Sequence, residues 1–213
     1  MARAGLSREA VTALALRVVD DGGTHGFADL SLAKVAAAAG VATPSLYKHV
    51  GSLADLRRAV ALVAIDDLTR ATAAATIGRS GPDALSALAG AVRGFAHEHP
   101  GRYAAVQLSP DLGAAPDDPV SLASARTVAV IVAVLRGFDL PQDRTIDAIR
   151  AVRSAIHGFV SLELMGGFGL PDDVDHSFEV LVGLLVAGIE DLAGPSRAPG
   201  PVSAPGTPAG RGA

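Results

Sequence analysis

The 213-residue chain is 49% hydrophobic but only 4% aromatic, so alanine, valine and leucine must fill its core, a composition that favours packed helices over a strand sandwich. It contains no cysteine, which excludes disulfides, thiolate metal sites and a cysteine nucleophile and fits a cytoplasmic protein. The net charge of −4 argues against non-specific binding to nucleic acid, although residues 1–60 are positive by two.

No segment predicts secretion or membrane insertion. The N-terminus lacks the long apolar stretch of a signal peptide. The longest uncharged run of mainly apolar residues in the C-terminal third, residues 180–189, is about half of the ~20 residues that a membrane span needs. We therefore expect a soluble protein without a membrane partner.

The chain begins with a helical pattern over residues 7–21, where apolar residues recur at the spacing of one helix face. Ser7 stands at the expected N-cap, and a pair of glycines follows the helix. A second helix is predicted from its cap at Ser31 to Gly40.

A third, short helix is predicted to begin at Thr43 as its N-cap, with Pro44 in the first helical position, where the missing N–H costs nothing. It should end at Gly51. Ser52 and Asp55 then resemble a capping box that opens a long fourth helix.

Five more helical patterns follow, separated by breaks rich in glycine and proline. They cover residues 83–99, 102–108, 119–137, 143–165 and 175–193. The sequence thus predicts an all-α fold of about nine helices. Its expected parts are a domain of residues 1–51, a larger domain of residues 52–193 connected by helix 52–76, and a disordered tail of residues 194–213.

Residues 31–50, SLAKVAAAAGVATPSLYKHV, have the pattern of a helix-turn-helix. Gly40 ends the first helix, and Val41 fills the angle between the two. The inward-facing apolar residues leave a polar surface on the second helix that suits a DNA major groove. The same spacing also fits an ordinary helical hairpin whose polar residues only cover a core.

The candidate DNA contacts divide into two groups. Residues at the N-terminal end of the second helix would meet base edges, and those at its C-terminal end would meet phosphate oxygens. The candidate DNA-binding residues are Lys34, Thr43, Pro44, Ser45, Tyr47, Lys48 and His49.

From Ser7 to Ala64 the chain resembles the N-terminal domain of TetR-type regulators, through LSLAKVAAAAGVATPSLYKHVGSLADL. In that family the Tyr and His of a Y-x-H-[FV] sequence contact phosphates, which implies this role for Tyr47 and His49. The family often has a phosphate-binding Lys where this chain has Leu53. Arg57 and Arg58, one turn later, are candidates to replace it.

The last helical pattern, residues 175–193, is apolar nearly all round and needs cover on both sides. The resemblance implies a homodimer, and this helix would pair with residues 149–165 in an intersubunit four-helix bundle. The alternative is the central helix of a monomer. The candidate interface residues are Phe159, Leu181, Leu184, Leu185 and Ile189.

Residues 157–163 resemble the His-Gly signature of one C-terminal domain type in this family, with Ile156 in place of a frequent Trp. The helices of this half should enclose an apolar cavity for a hydrophobic, neutral or weakly anionic effector, with Glu163 leaving room for a cationic amine. The candidate ligand-binding residues are Phe95, Tyr103, Gln107, Phe138, His157 and Phe159. His157 also fits the role of a core histidine.

Together these features predict a ligand-responsive transcriptional regulator, a homodimeric repressor released from a pseudo-palindromic double-stranded DNA operator by a small hydrophobic effector. A sequence-independent architectural DNA-binding protein is one alternative, which the content of only two lysines disfavours. A helical enzyme is the other, and the sequence has no catalytic triad, metal-ligand spacing or nucleotide loop. We expect neither a cofactor nor a metal.

Overall fold

The computed structural model describes residues 6–108, 115 and 117–194, and within them the chain is all-α, as predicted. Its α-helices are α1 (Arg8–Asp21), α2 (Leu32–Ala39), α3 (Leu53–Thr76), α4 (Gly81–Glu98), α5 (Pro100–Val106), α6 (Pro119–Leu135), α7 (Thr145–Leu164) and α8 (Val174–Ala193). Four 3₁₀ segments, Gly23–His25, Thr43–Lys48, Arg136–Phe138 and Gln142–Arg144, complete the described regular structure. The predicted tail lies outside the described residues beyond Gly194.

Capping serines define where three of the helices begin. The hydroxyls of Ser7, Ser31 and Ser52 each accept a hydrogen bond from the backbone N–H three residues later. Gly40, after α2, adopts the left-handed conformation (φ 66°), which a residue with a side chain rarely does. The predicted starts of these helices and the predicted end of α2 are confirmed.

The third predicted helix is a 3₁₀ helix and is shorter than expected. It spans Thr43–Lys48, and its N-cap is Ala42, so the prediction of Thr43 as the N-cap is wrong. The N–H of Ser45 donates to the carbonyl of Ala42 (2.9 Å). Six residues are too few to offset the cost of starting an α-helix, and Pro44 has no N–H to donate to the ladder.

The carboxylate of Asp55 holds the start of α3. It accepts from the N–H of Gly51 (2.9 Å), not from Ser52 as a capping box requires, and pairs with Arg8 of α1 through both oxygens (2.5 and 2.8 Å). The Arg8 guanidinium and the Gly51 N–H together lower the pKa of Asp55 to about 2. Arg8 also reaches the carbonyl of His49 (3.5 Å), so these bonds join α1, the 3₁₀ helix and α3.

Two main apolar cores lie along α3. The first packs α1, α2 and the 3₁₀ helix on the N-terminal half of α3 and includes Val11, Leu46 and Leu56. The second packs α4, α6, α7 and α8 on its C-terminal half and includes Leu85 and Val152. Because α3 contributes to both cores, a displacement in one core can reach the other through it.

Among the described residues, one helical stretch is long and apolar enough to cross a membrane by length and composition alone. It is Pro119–Phe138, which comprises α6 and the following 3₁₀ segment and has a mean hydropathy of 1.6. The core helix of a soluble protein meets the same criterion. Here α6 packs against α3, α4 and α7 and places Ile131, Val134 and Leu135 in the second core.

The backbone of helix α5 lies in direct contact with the backbone at the end of α1. A Cβ atom on Gly101 would lie 2.4 Å from the carbonyl oxygen of Val19, and one on Gly26 would lie 1.9 Å from the same oxygen. Both distances are shorter than any real contact of a Cβ atom. Glycine at these positions therefore allows α1, the turn after it and α5 to meet.

We expect Gly101→Ala to lower the free energy of unfolding by about 1–3 kcal/mol, because backbone atoms must move to admit the methyl group. Gly90→Ala is the matched control. Gly90 is exposed within α4, and a Cβ there meets no atom within 4 Å, so that variant should gain about 0.5–1 kcal/mol. Urea denaturation of both variants measures the difference. Wild-type stability of Gly101→Ala would contradict the close approach of α5.

Candidate nucleic-acid interface and internal cavity

The residues predicted to contact DNA are all at least partly accessible, on or beside the 3₁₀ helix. Pro44, Tyr47 and Lys48 are exposed, and Thr43, Ser45 and His49 are half-buried. Leu46 is fully buried in the first core and fixes the rotation of the segment. Lys34 is exposed on the preceding α2. The structure therefore presents all seven residues on or beside one short helix.

The turn between α2 and the 3₁₀ helix sets the angle of this surface. Gly40 reverses the chain, and the N–H of Val41 then donates to the carbonyl of Ala36 (3.0 Å). The Val41 side chain packs against the first core, as the sequence predicts. This is the geometry of a helix-turn-helix whose second element is a 3₁₀ helix.

The two arginines that could replace the missing lysine at the start of α3 are engaged inside the chain. Arg57 donates to the carbonyls of Ala28 (2.8 Å) and Leu30 (3.4 Å). Arg58 forms an ion pair with Asp118, just before α6. The expectation that Arg57 or Arg58 takes over this phosphate contact is therefore not supported, because both hold loops against α3.

A cavity of about 90 Å³ lies between α3, α4, α5, α6 and α7. Most of its wall is aliphatic, including Ile65, Leu68, Leu88, Val92, Ile131, Val152 and Ile156. Its polar groups are Thr72, Tyr103, Gln107, Ser124, Thr127, Arg153 and His157. An apolar pocket with a few hydrogen-bonding groups is typical of small-molecule sites.

Three of the six predicted ligand-binding residues line this cavity: Tyr103, Gln107 and His157. The Tyr103 hydroxyl and Nδ1 of His157 are 3.0 Å apart, and the Ser161 hydroxyl lies 3.3 Å from the same nitrogen. Burial raises the pKa of Tyr103 to about 12 and, with the Arg153 charge, lowers the pKa of His157. Both side chains are therefore neutral near pH 7.

The other three lie away from the cavity wall: Phe95, Phe138 and Phe159. The ring of Phe95 packs beside His99 (5.4 Å between ring centres). Phe159 lies near Phe168 and Phe178 (4.7 and 5.2 Å), where α7 meets α8. Phe138 is buried in the second core after α6. The expectation that these rings line the cavity is wrong, since they fill the seams between helices.

The contribution of α3 to the cavity was not predicted from the sequence. Ile65, Leu68 and Thr72 line it from α3, which was assigned only a connecting role. Their i, i+3, i+7 spacing continues an apolar face along the helix and was the available signal. Arg153, one helical turn before His157 on α7, was also missed.

Glu163 is not available to a cationic ligand. Arg93 of α4 donates to both of its oxygens (2.5–3.2 Å), and Nε2 of His97 lies 3.0 Å from Oε2. These contacts lower the pKa of Glu163, chiefly through the Arg93 hydrogen bond. Arg93 also pairs with Asp175 (2.6 Å) and so ties α4 to both α7 and α8.

Helix α8 leaves a strip of small and apolar residues uncovered. Leu184 is 67% exposed and Val180 48% exposed, with Gly183, Ala187 and Gly188 exposed beside them. Leu181, Leu185 and Phe159 are half-buried against the second core. Ile189 is only 2% exposed, so its predicted place in an interface is wrong, because it packs inside its own chain.

Helix α5 touches both the cavity and α1. Arg102 binds the carboxylate of Asp20 at the end of α1 through two nitrogens (2.6–3.1 Å) and Asp67 of α3 through the third (2.9 Å). The next residue, Tyr103, lines the cavity, as does Val106. A shift of α5 caused by a cavity occupant would therefore act directly on α1.

Comparisons with known proteins agree with this geometry. Residues 23–60 match the family model of bacterial regulatory proteins, tetR family, and residues 85–185 match that of the tetracyclin repressor-like C-terminal domain. An uncharacterized HTH-type transcriptional regulator of Mycobacterium tuberculosis is 40% identical over 190 residues, 88% of this chain and 83% of that protein.

Solved structures share the fold. A transcriptional regulator from Streptomyces coelicolor, described as a TetR, has a TM-score of 0.63 at 20% identity and covers 89% of this chain and 100% of its own. A TetR variant from Acinetobacter baumannii, solved in complex with minocycline, has a TM-score of 0.64 at 20% identity and covers 90% of this chain and 100% of its own. At this identity the likeness concerns the fold alone.

Arg102→Gln should loosen the end of α1. It removes the guanidinium that joins Asp20 to Asp67, so amide hydrogen exchange in the last turn of α1 should accelerate about fivefold, equivalent to roughly 1 kcal/mol. Arg126→Gln is the control, because its exposed pair with Asp66 joins α6 to α3 and does not reach α1. Equal exchange in α1 for wild type and Arg102→Gln would remove the proposed link.

Proposed function

This chain belongs to the TetR family of transcriptional regulators, and we propose that it acts as a homodimeric repressor that a small apolar ligand releases from its operator. The observation that carries the proposal is the position of α5. One side of this helix lines the cavity through Tyr103 and Val106, and the other is bound to α1 through Arg102. The family resemblance inferred from the sequence is confirmed by the comparisons.

The 3₁₀ helix is proposed as the DNA-reading element. Thr43, Pro44 and Ser45 would face base edges at its N-terminal end, and Tyr47 and Lys48 would face phosphates. His49 and Lys34 would add phosphate contacts at either side. The Arg8–Asp55 pair supports this role, because it fixes the segment against α1 and α3 before DNA is met.

The exposed strip of α8 is proposed as the dimer interface, with Leu184 at its centre. Exposed glycine and alanine residues around Leu184 let a second helix approach closely, and the half-buried Leu181 and Leu185 would flank the contact. A twofold dimer places two DNA-reading helices so that they meet successive major grooves. The operator is then a pseudo-palindrome.

Release from DNA would follow from a difference in the ligand's affinity for two conformations of the protein. A ligand that fits the cavity better in a conformation where α5 and α3 are displaced stabilises that conformation and lowers DNA affinity by the same factor. The minocycline complex of the Acinetobacter TetR variant supports ligand binding within this fold. We retain residues 1–51 as the DNA-binding domain and residues 52–193 as the ligand-binding and dimerisation domain, acting in the cytoplasm without catalysis.

Lys48→Ala tests the DNA surface. It should weaken binding to all DNA about equally and reduce the slope of log K against log salt by ~0.9, because one phosphate contact is lost. Ser45→Ala should instead relax base preference at one operator position. Arg79→Ala, which removes an exposed cation just beyond the far end of α3, a helix about 36 Å long, is the control. An unchanged slope for Lys48→Ala would exclude its phosphate contact.

Leu184→Glu tests the dimer. A carboxylate in an apolar interface without a partner is costly, so the variant should sediment as a monomer at micromolar concentration and lose operator binding. Helical content should be kept, because Leu184 is exposed within its own chain. Ile77→Glu, at a site 79% exposed after α3, is the control. A wild-type monomer, or a Leu184→Glu dimer, would overturn the interface.

A further inference from the structure

The charged lining of the cavity is exclusively positive among the described residues. Arg153 is the only ionised side chain among the residues that line it, and no Asp or Glu lines it within the described part of the chain. The nearest acidic candidate from the sequence, Glu163, is held by Arg93 and His97 elsewhere. A cationic ligand would therefore meet a like charge and no carboxylate.

Arg153 has no protein partner among the described residues. The arginines of α4, α5 and the middle of α6 each pair with a carboxylate, but Arg153 makes no hydrogen bond or ion pair there. It is exposed overall and also lines the cavity, so its guanidinium lies at the rim. Its charge partly opposes the burial that raises the pKa of Tyr103 and adds to the burial that lowers the pKa of His157, and all three residues line the same cavity.

Tyr103 and His157 are arranged so that one of them can donate toward the cavity. If His157 carries its proton on Nδ1, it donates to the Tyr103 oxygen, and the Tyr103 O–H is left to point at a ligand. The chain of two hydrogen bonds polarises the phenol and makes it a better donor. A guanidinium and a phenol O–H that line the same cavity can together bind an anion.

Resting on the ligand-responsive function proposed above, we propose that the ligand is a small apolar monocarboxylate. Its hydrocarbon part fills the space between Leu68, Ile131 and Ile156. Its carboxylate lies at the rim, where Arg153 pairs with it and Tyr103 donates to it.

The size and position of the site agree with this class. An ionised carboxylate is tolerated only where it is paired and hydrogen-bonded, which places it at the rim beside Arg153 and not among the aliphatic residues. A cavity of about 90 Å³ is several times the ~10–15 Å³ that one water molecule needs on this measure. A short hydrocarbon chain or a single ring fits this volume.

The test uses three six-carbon probes with different head groups: hexanoate, 1-hexanol and hexylammonium. Calorimetric titration of the full chain at fixed ionic strength should give hexanoate an affinity about tenfold higher than 1-hexanol, with hexylammonium the weakest. Arg153→Gln should weaken hexanoate binding about tenfold and leave 1-hexanol binding unchanged. Tyr103→Phe should act in the same direction with a smaller loss.

Arg150→Gln is the matched control, since Arg150 is exposed one turn earlier on α7 and does not line the cavity. Equal affinities for hexanoate and 1-hexanol, an unaltered hexanoate affinity in Arg153→Gln, or no binding of any probe would overturn the proposal. Operator binding by the ligand-free wild type is measured separately. If the ligand-free wild type does not bind operator DNA, the proposed function is overturned. If it binds operator DNA but the hexanoate titration fails, only the proposed ligand class is overturned.

Discussion

The contact between α5 and α1 is the constraint on which the rest of the structure depends. Gly101 allows the two backbones to touch at Val19, and Arg102 then spans Asp20 and Asp67. These are short-range interactions that tolerate little displacement, unlike a purely apolar contact that can slide. The helix that carries them also forms part of the cavity wall, so the cavity cannot expand toward α5 without straining the contact with α1.

The end of the molecule that we propose to read DNA is also held rigidly, by contacts around the 3₁₀ helix. The Arg8–Asp55 pair, the Gly51 N–H and the buried Leu46 fix the 3₁₀ helix to α1 and α3. Because α1 holds both Arg8 and Asp20, it links the 3₁₀ helix to α5. A movement of α5 would therefore reorient the first core as a unit, which changes the position of the DNA-reading helix without unfolding it.

Much of the fold could be predicted because it depends on local chemistry. Serine caps, glycine stops and apolar spacing act within a few residues, so the helix starts at Ser7, Ser31 and Ser52 follow from the sequence. Side-chain direction could not be predicted as well, since one residue of error turns a helix by about 100°. For this reason Phe159 was wrongly predicted to line the cavity and Ile189 to lie in the dimer interface. The direction of each side chain is set by tertiary packing, of Phe159 against α8 and of Ile189 in the second core.

Charge placement separates the two uses of arginine in this chain. Arg57, Arg93 and Arg102 are bound to carbonyls or carboxylates and hold elements together. Arg93 and Arg102 gain little from an added anion, because their guanidinium groups are already paired with carboxylates. Arg153 differs because it lies beside an apolar cavity with its hydrogen-bonding capacity unused by the described residues. An anion bound there would gain a charge-assisted contact beside an apolar wall, which the paired arginines do not offer.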